Sequence, residues 1–497
     1  MGQLSPTLIL SIILGYFIVL IGISYLTAGK GDNKAFFTAN RSSPWYLVAF
    51  GMIGATLSGV TFISIPGLVG KLEGANNNFS YMQMVLGYLV GYTVIALILM
   101  PIYYKQNLTS IYSYLEKQLG LAAYKTGAAY FIISRVIQAA FRLYLVSFVL
   151  DIFVTGPLGI SFSLTVIITI LLIWIYTFKG GIKTIVITDT FQTLSMLVAV
   201  VLTIYSIMNS MDIGWSGAFD LIADRGYDRV FQFENGWGDP NNFFKQFFSG
   251  ALLAIVMTGL DQDMMQKNLT CRTLGDAQKN MFSFSFVLIF VNILFLTLGA
   301  LLYIYANNNG VEVPARTDQL FPLIAIEHLS PIVGVFFILG LIAAAYSSAD
   351  SALTSLTTAF CVDFLGMDKD NTTAHDKSTR FKVHIGFSVA LFIVIMVFNS
   401  FNDDSVLNKI FEVAGYTYGP ILGLFCFSIF TNRKPNNNLV LPVCIMAPII
   451  SYAINYYSAI LLDGFKWGYM ILALNGLLTF LGLWAISQST DRKSATI

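Results

Sequence analysis

Residues 340–358, GLIAAAYSSADSALTSLTT, place hydroxyls and one carboxylate inside an apolar segment that begins near Val333. Ser347, Asp350, Ser351, Thr354, Ser355 and Thr358 recur three or four apart, so on a helix they form one column of oxygens, with Ser348 beside it. Hydroxyls and a carboxylate suit a small hard cation such as sodium, whereas soft metals and phosphates need other partners. For the hydroxyls alone, close helix packing accounts for the composition equally well. Asp350 tilts the reading toward a bound ion or a buried partner, because an ionisable group at membrane depth is costly unless matched.

Other polar groups sit inside apolar surroundings. Residues 45–70 read WYLVAFGMIGATLSGVTFISIPGLVG, with five glycines, Pro66, and Thr56, Ser58 and Thr61 near the weakest part of the span. Two readings fit: a discontinuous helix whose freed backbone groups hold an ion or substrate, or a close-packed glycine-rich helix with a proline kink. Arg135 and Arg142 are seven apart and share a face. Arg142 lies deeper and needs either an acid of the chain, such as Asp189 or Asp350, or the carboxylate of a substrate. Asp189 itself reads as a helix-start cap or as a site residue. Asp261, Gln262, Asp263, Gln266 and Lys267 cluster at one helix end and are read in part as interface anchors. Glu412, Tyr416 and Tyr418 precede Gly419-Pro420, a second breakable segment.

The elements that must position these groups are membrane helices. The 497 residues are 56% hydrophobic and only 11% charged, with mean hydropathy +0.71, which excludes a soluble enzyme of this size. Apolar windows of about 17–25 residues fall near 7–26, 45–70, 81–101, 126–152, 160–178, 184–207, 246–266, 280–305, 323–357, 383–399, 408–430, 437–456 and 465–487. The expectation is thirteen membrane helices in one all-α membrane domain covering 1–497. The net charge of +1 says nothing about nucleic-acid or acidic partners; the partners expected are a small solute, sodium and the bilayer, with no nucleic acid and no obligate protein partner. The four scattered cysteines lack metal-ligand or redox spacing, and no ATP-binding or hydrolytic motif occurs. A channel would need a filter of carbonyl-donating glycines, which is not seen, and a sensor or membrane enzyme would need an output domain or catalytic set.

Three stretches resemble motifs of the sodium/solute symporter family: Gly180-Gly181 leading to Thr188-Asp189 and Gln192; Gly259 through Gln266 with Ala277-Gln278; and Ala343-Ala344-Ala345 through Ser347-Ser348 and Ser355. The resemblance implies a LeuT-type fold of two inverted five-helix repeats, 45–207 and 246–430, with peripheral helices in 1–30 and 437–487. It implies sodium-coupled uptake of a small solute by alternating access, with no enzymatic step. It places a sodium ion at the carbonyls of Gly54, Leu57 and Ala344 and the hydroxyls of Ser347 and Ser348. A second sodium set maps onto Asp189, Ser347, Asp350 and Ser351. Substrate candidates are Thr56, Ser58, Thr61, Arg142, Met257 and Gln262. The hexose-binding side chains of the family's sugar carriers are replaced here, by Thr56, Val60, Thr61, Met257 and Thr258. Arg142 falls where family carriers of sialic acid hold a carboxylate. An anionic solute is therefore the first expectation, and a sugar or other neutral solute the alternative.

Orientation follows from the loop cations. One set of loops carries nineteen lysines and arginines, from Lys30 to Lys493, and the alternate set seven, from Lys71 to Lys466. The N-terminus is expected outside and the C-terminus in the cytoplasm. In a cysteine-free background, an impermeant thiol reagent added to intact cells should label a cysteine placed at Asp224 and miss one at Ser378. Labelling of Ser378 alone reverses the assignment.

Overall fold

The computed structural model describes residues 6–27, 33–70, 77–177, 181–234, 236–367, 373–400, 406–462 and 464–489. Gly180, the loop positions 368–372 and the loop cations Lys30, Lys71, Lys179, Lys369, Arg492 and Lys493 lie outside these residues. Each apolar window is helical, since within a bilayer a helix satisfies its own backbone polar groups. The first helices are α1 (Pro6–Thr27), α2 (Trp45–Leu68), α3 (Tyr81–Lys105), α4 (Leu121–Leu150), α5 (Phe162–Thr177) and α6 (Gly181–Ser210). Then come α7 (Phe243–Ala254, extended by a wide turn over Ile255–Gly259), α8 (Gln262–Asn268), α9 (Leu274–Asn308) and α10 (Pro331–Ala359). The last are α11 (Ala374–Asn399), α12 (Val406–Thr417), α13 (Gly419–Phe430), α14 (Asn437–Leu461) and α15 (Ile471–Ala485). Among the described residues, ten helices are long and apolar enough to cross a membrane, or twelve if two bent pairs each count as one span, and α5 contributes a shorter apolar stretch. Two short strands, β1 (Arg433–Pro435) and β2 (Ser487–Ser489), pair antiparallel beyond α13 and α15. The fold is an all-α, multi-pass membrane bundle.

Burial separates the centre from the rim. In the apolar window of α2, 89% of residues are buried, against 22% in those of α11 and α14, so α2 is enclosed by protein while the latter two face lipid. Around α2 pack α6, α9 and α10, and α10 also lies along α6 and α4.

Three helices are interrupted along their length. In α2 the break is at Ser58, whose φ of 41° and ψ of 171° leave the helical region; Pro66 sits within the second half instead. A non-glycine residue in that conformation costs about 1–3 kcal/mol. The first half-helix then ends with the carbonyls of residues 54–57 released from their regular partners. Gly59 follows because α10 and α4 approach so closely: a Cβ there would stand 2.6 Å from Val146 Cγ2 and 3.7 Å from the Ala345 backbone. Between α7 and α8 the chain turns by 69°, and between α12 and α13 by 46°. The carbonyls exposed by these bends find donors. Tyr103 donates to Gly259 O (2.8 Å) and Tyr112 to Leu260 O (2.7 Å). Asn475 Nδ2 donates to Gly415 O (3.1 Å) and Tyr416 O (2.9 Å).

The long connection 209–242 is not a plain loop. It holds the short helix Trp215–Asp224, and the Gln83 side chain ties it to the start of α3 by donating to Asn241 O (2.9 Å) and accepting from Gln232 N (3.1 Å). Packing of α3 on α7 depends on Gly87, where a Cβ would fall 2.0 Å from Phe247 O and 2.9 Å from Ala251 N. Gly87→Ala should destabilise the protein by about 1–3 kcal/mol, as overpacking does. Gly15, which has nothing within 4 Å of its notional Cβ, should accept alanine without loss. Melting in detergent measures both, and equal melting temperatures would contradict the α3–α7 packing.

Candidate functional site

The interruption of α2 opens onto a cavity of about 80 Å³ walled by α2, α3, α4, α7, α8, α9 and α12. Five of the substrate candidates read from the sequence, Thr56, Ser58, Thr61, Arg142 and Met257, line it. The sixth does not. Gln262 turns into the loop before α4, donating from Nε2 to Thr109 O (2.8 Å) and accepting from Ile111 N (2.9 Å), so its role is to anchor α8. Three tyrosines that the sequence reading passed over, Tyr81, Tyr88 and Tyr92, also line the cavity. Their spacing of seven and four along α3 was the available signal. The Tyr81 and Tyr88 hydroxyls lie 3.0 Å apart.

The two arginines of α4 have different surroundings. Arg135 is neutralised by α8: it pairs with Asp263 and stands 3.9 Å from Asp261 Oδ2. Asp261 also caps α8, accepting from Asp263 N (2.9 Å) and Met264 N (3.2 Å), and it accepts the Tyr418 hydroxyl at the α12–α13 bend. One buried cluster thus joins α4, α8 and both bends. Arg142, about two turns further along the same face, is 8% exposed, lines the cavity as Arg135 does, and has no salt bridge among the described residues. Neither Asp189 nor Asp350 is its counter-ion. Thr56 Oγ1, on the same wall, has no hydrogen-bond partner.

The column of oxygens on α10 is buried along its whole length. Ser347 donates to Asp189 Oδ1 on α6 (2.7 Å), and Ser348 to Ala345 O (3.1 Å). Asp189 Oδ2 meets Lys267 Nζ of α8 at 2.6 Å, with both side chains 1% exposed. Lys267 therefore is neither a loop cation nor an interface anchor, and Asp189 is no helix cap. Ser351 turns instead to Asp263 Oδ2 (3.1 Å), and Asp350, fully buried, lies within electrostatic range of Tyr16 on α1. Of the four positions mapped to a second ion, two meet at Asp189 and the others diverge. Of the first set, Gly54 and Leu57 belong to the turn released at the α2 break, and Ala344, Ser347 and Ser348 to the segment of α10 around Ala345 that crosses it.

A bundle of membrane helices, three of them broken around a central cavity, is the architecture of a secondary carrier. The chain belongs to the sodium:solute symporter family, whose model matches residues 36–438. It is 26% identical over 437 residues to the sodium/sialic acid symporter NanT of Aliivibrio fischeri, covering 86% of this chain and 83% of that one. The sodium/sialic acid symporter SiaT of Proteus mirabilis is 24% identical over 445 residues, covering 88% and 87%. The fold superposes on a substrate-bound, outward-open sodium-coupled sialic acid symporter with TM-score 0.80 at 19% identity, over 97% of this chain and 99% of that chain. The activity is sodium-coupled secondary active transport of a small organic solute across a membrane, with sodium as coupling ion and no enzymatic step.

Proposed function

We propose that this carrier takes up a small organic acid, with the substrate carboxylate held by Arg142 and its body lying against Tyr88, Tyr92, Met257 and Phe411. The observation that carries the reading is Arg142: a buried guanidinium on the cavity wall that forms no salt bridge among the described residues. A guanidinium cannot shed its charge, and its planar fork matches a carboxylate. Arg135, by contrast, already has Asp263. The bacterial symporters of an acidic sugar among the relatives support the same class. The apolar and aromatic share of the wall favours acids with an apolar face over uncharged polyols.

Sodium binds in this reading at the carbonyls of Gly54, Leu57 and Ala344 and the hydroxyls of Ser347 and Ser348. Two features support it: the interruption of α2 at Ser58 releases carbonyls, and α10 packs on α2 beside it, the Ala345 backbone standing 3.7 Å from where a Cβ on Gly59 would be, with the hydroxyl face of α10 buried. The ion then bridges a broken helix and its neighbour, so that its arrival draws α2 toward α10. The remaining architecture goes with it: thirteen spans, inverted repeats over 45–207 and 246–430, N-terminus outside and C-terminus cytoplasmic. The two bent pairs and the shorter α5 are compatible with that count.

Uptake into proteoliposomes under an inward sodium gradient tests both halves. Among sialic acid, aromatic monocarboxylates and hexoses, the acids should be taken up. Arg142→Gln should raise their half-saturating concentration about 10–100-fold, the loss of a charge-assisted hydrogen-bonded pair worth about 1.5–3 kcal/mol. Preference for a hexose with Arg142→Gln unaffected contradicts the carboxylate reading. Ser347→Ala with Ser348→Ala should raise the half-saturating sodium concentration roughly tenfold, about 1.4 kcal/mol. Unchanged sodium dependence would remove these hydroxyls from the ion site.

A further inference from the structure

The cation at Asp189 is part of the chain itself. Lys267 Nζ stands 2.6 Å from Asp189 Oδ2, and the Ser347 hydroxyl donates to Oδ1 at 2.7 Å, so both carboxylate oxygens are engaged. The pair is sealed from solvent, each side chain being 1% exposed. We propose that the Lys267 ammonium takes the place of a second sodium at Asp189, and that this carrier therefore binds one sodium, at the α2–α10 crossing. The inference rests on the sodium site described above.

A buried carboxylate needs a counter-charge, and an ammonium is a compact one with three donors. Once it is in place, a sodium on the same carboxylate would meet a like charge at close range in a low-dielectric interior. Lys267 is also fixed where it stands. Its helix α8 is capped by Asp261, and Gln266 Nε2 beside it donates to Phe37 O (2.8 Å) and Thr358 Oγ1 (3.1 Å). At the end of α8, Asn280 Nδ2 donates to Asn268 Oδ1 (2.6 Å). These contacts hold the backbone that carries Lys267 beside Asp189, and its side chain is enclosed by protein at 1% exposure. The oxygens that would complete a second shell are dispersed as well, since Ser351 is bound to Asp263. Ser347 serves both arrangements: its proton goes to Asp189, and its lone pairs stay available to the first ion.

Equilibrium binding of radioactive sodium to the full-length protein in nanodiscs, at constant ionic strength with choline, counts the ions directly. Wild type and Lys267→Arg should bind one sodium per chain. Lys267→Met, and Lys267→Gln as a second neutral variant, should bind two, because Asp189 then lacks its counter-charge. Asp189→Asn and the double variant Lys267→Met with Asp189→Asn should bind one. Two sodium ions on wild type overturn the proposal without recourse to any variant. One sodium on a folded neutral Lys267 variant, equal to wild type, overturns it too. No sodium on wild type but one on Lys267→Met would support the lysine and instead contradict the site at Ser347 and Ser348.

Discussion

Charge enclosed in an apolar, membrane-embedded interior must be met by opposite charge or by oxygen, and the centre of this carrier is arranged around that demand. Asp189, Asp261 and Asp263 are buried together with Arg135, Arg142 and Lys267. Removing one member of such a pair costs about 3–5 kcal/mol, because the other is left uncompensated. The short helix α8 carries two of the acids and one of the cations, so it docks α4 through Arg135 and α6 through Asp189 at once. The 69° turn that precedes it is what brings both faces of α8 into the bundle.

Arg142 stands apart within this scheme, because the acids nearest in the fold are committed to Arg135 and Lys267. Its guanidinium lines the cavity, and under the proposed function an anionic substrate would supply its counter-charge. The tyrosine face of α3 and Met257 of the α7 wide turn shape the remainder.

Ser58 lies on the cavity wall and is also the residue at which α2 leaves helical geometry, so the cavity and the carbonyls released by the break share one strained turn. Through Tyr418 and Asp261, the bend between α12 and α13 joins the same cluster that holds Arg135. A shift at either bend is transmitted by contacts that are buried and directional.

The spans were legible in the sequence because crossing a bilayer depends on local composition, and each apolar window is helical. The hydroxyl column of α10 and the weak region of α2 were legible for a similar reason, as spacing and glycine content act within one segment. The region of the α2 break was legible too, near Thr56, Ser58 and Thr61; the structure sets it at Ser58 and leaves Pro66 within the second half-helix. Which charge meets which was decided by tertiary structure alone. Lys267 and Asp189 are 78 residues apart, and Arg135 and Asp263 128 apart, so nothing local distinguishes these pairings from Arg142 with Asp189. Gln262 and Lys267 illustrate the same point within one turn and a half of α8. Sequence marks both as polar groups near a helix end, but only the turn at Asp261 sends the amide to the loop before α4 and the ammonium to Asp189.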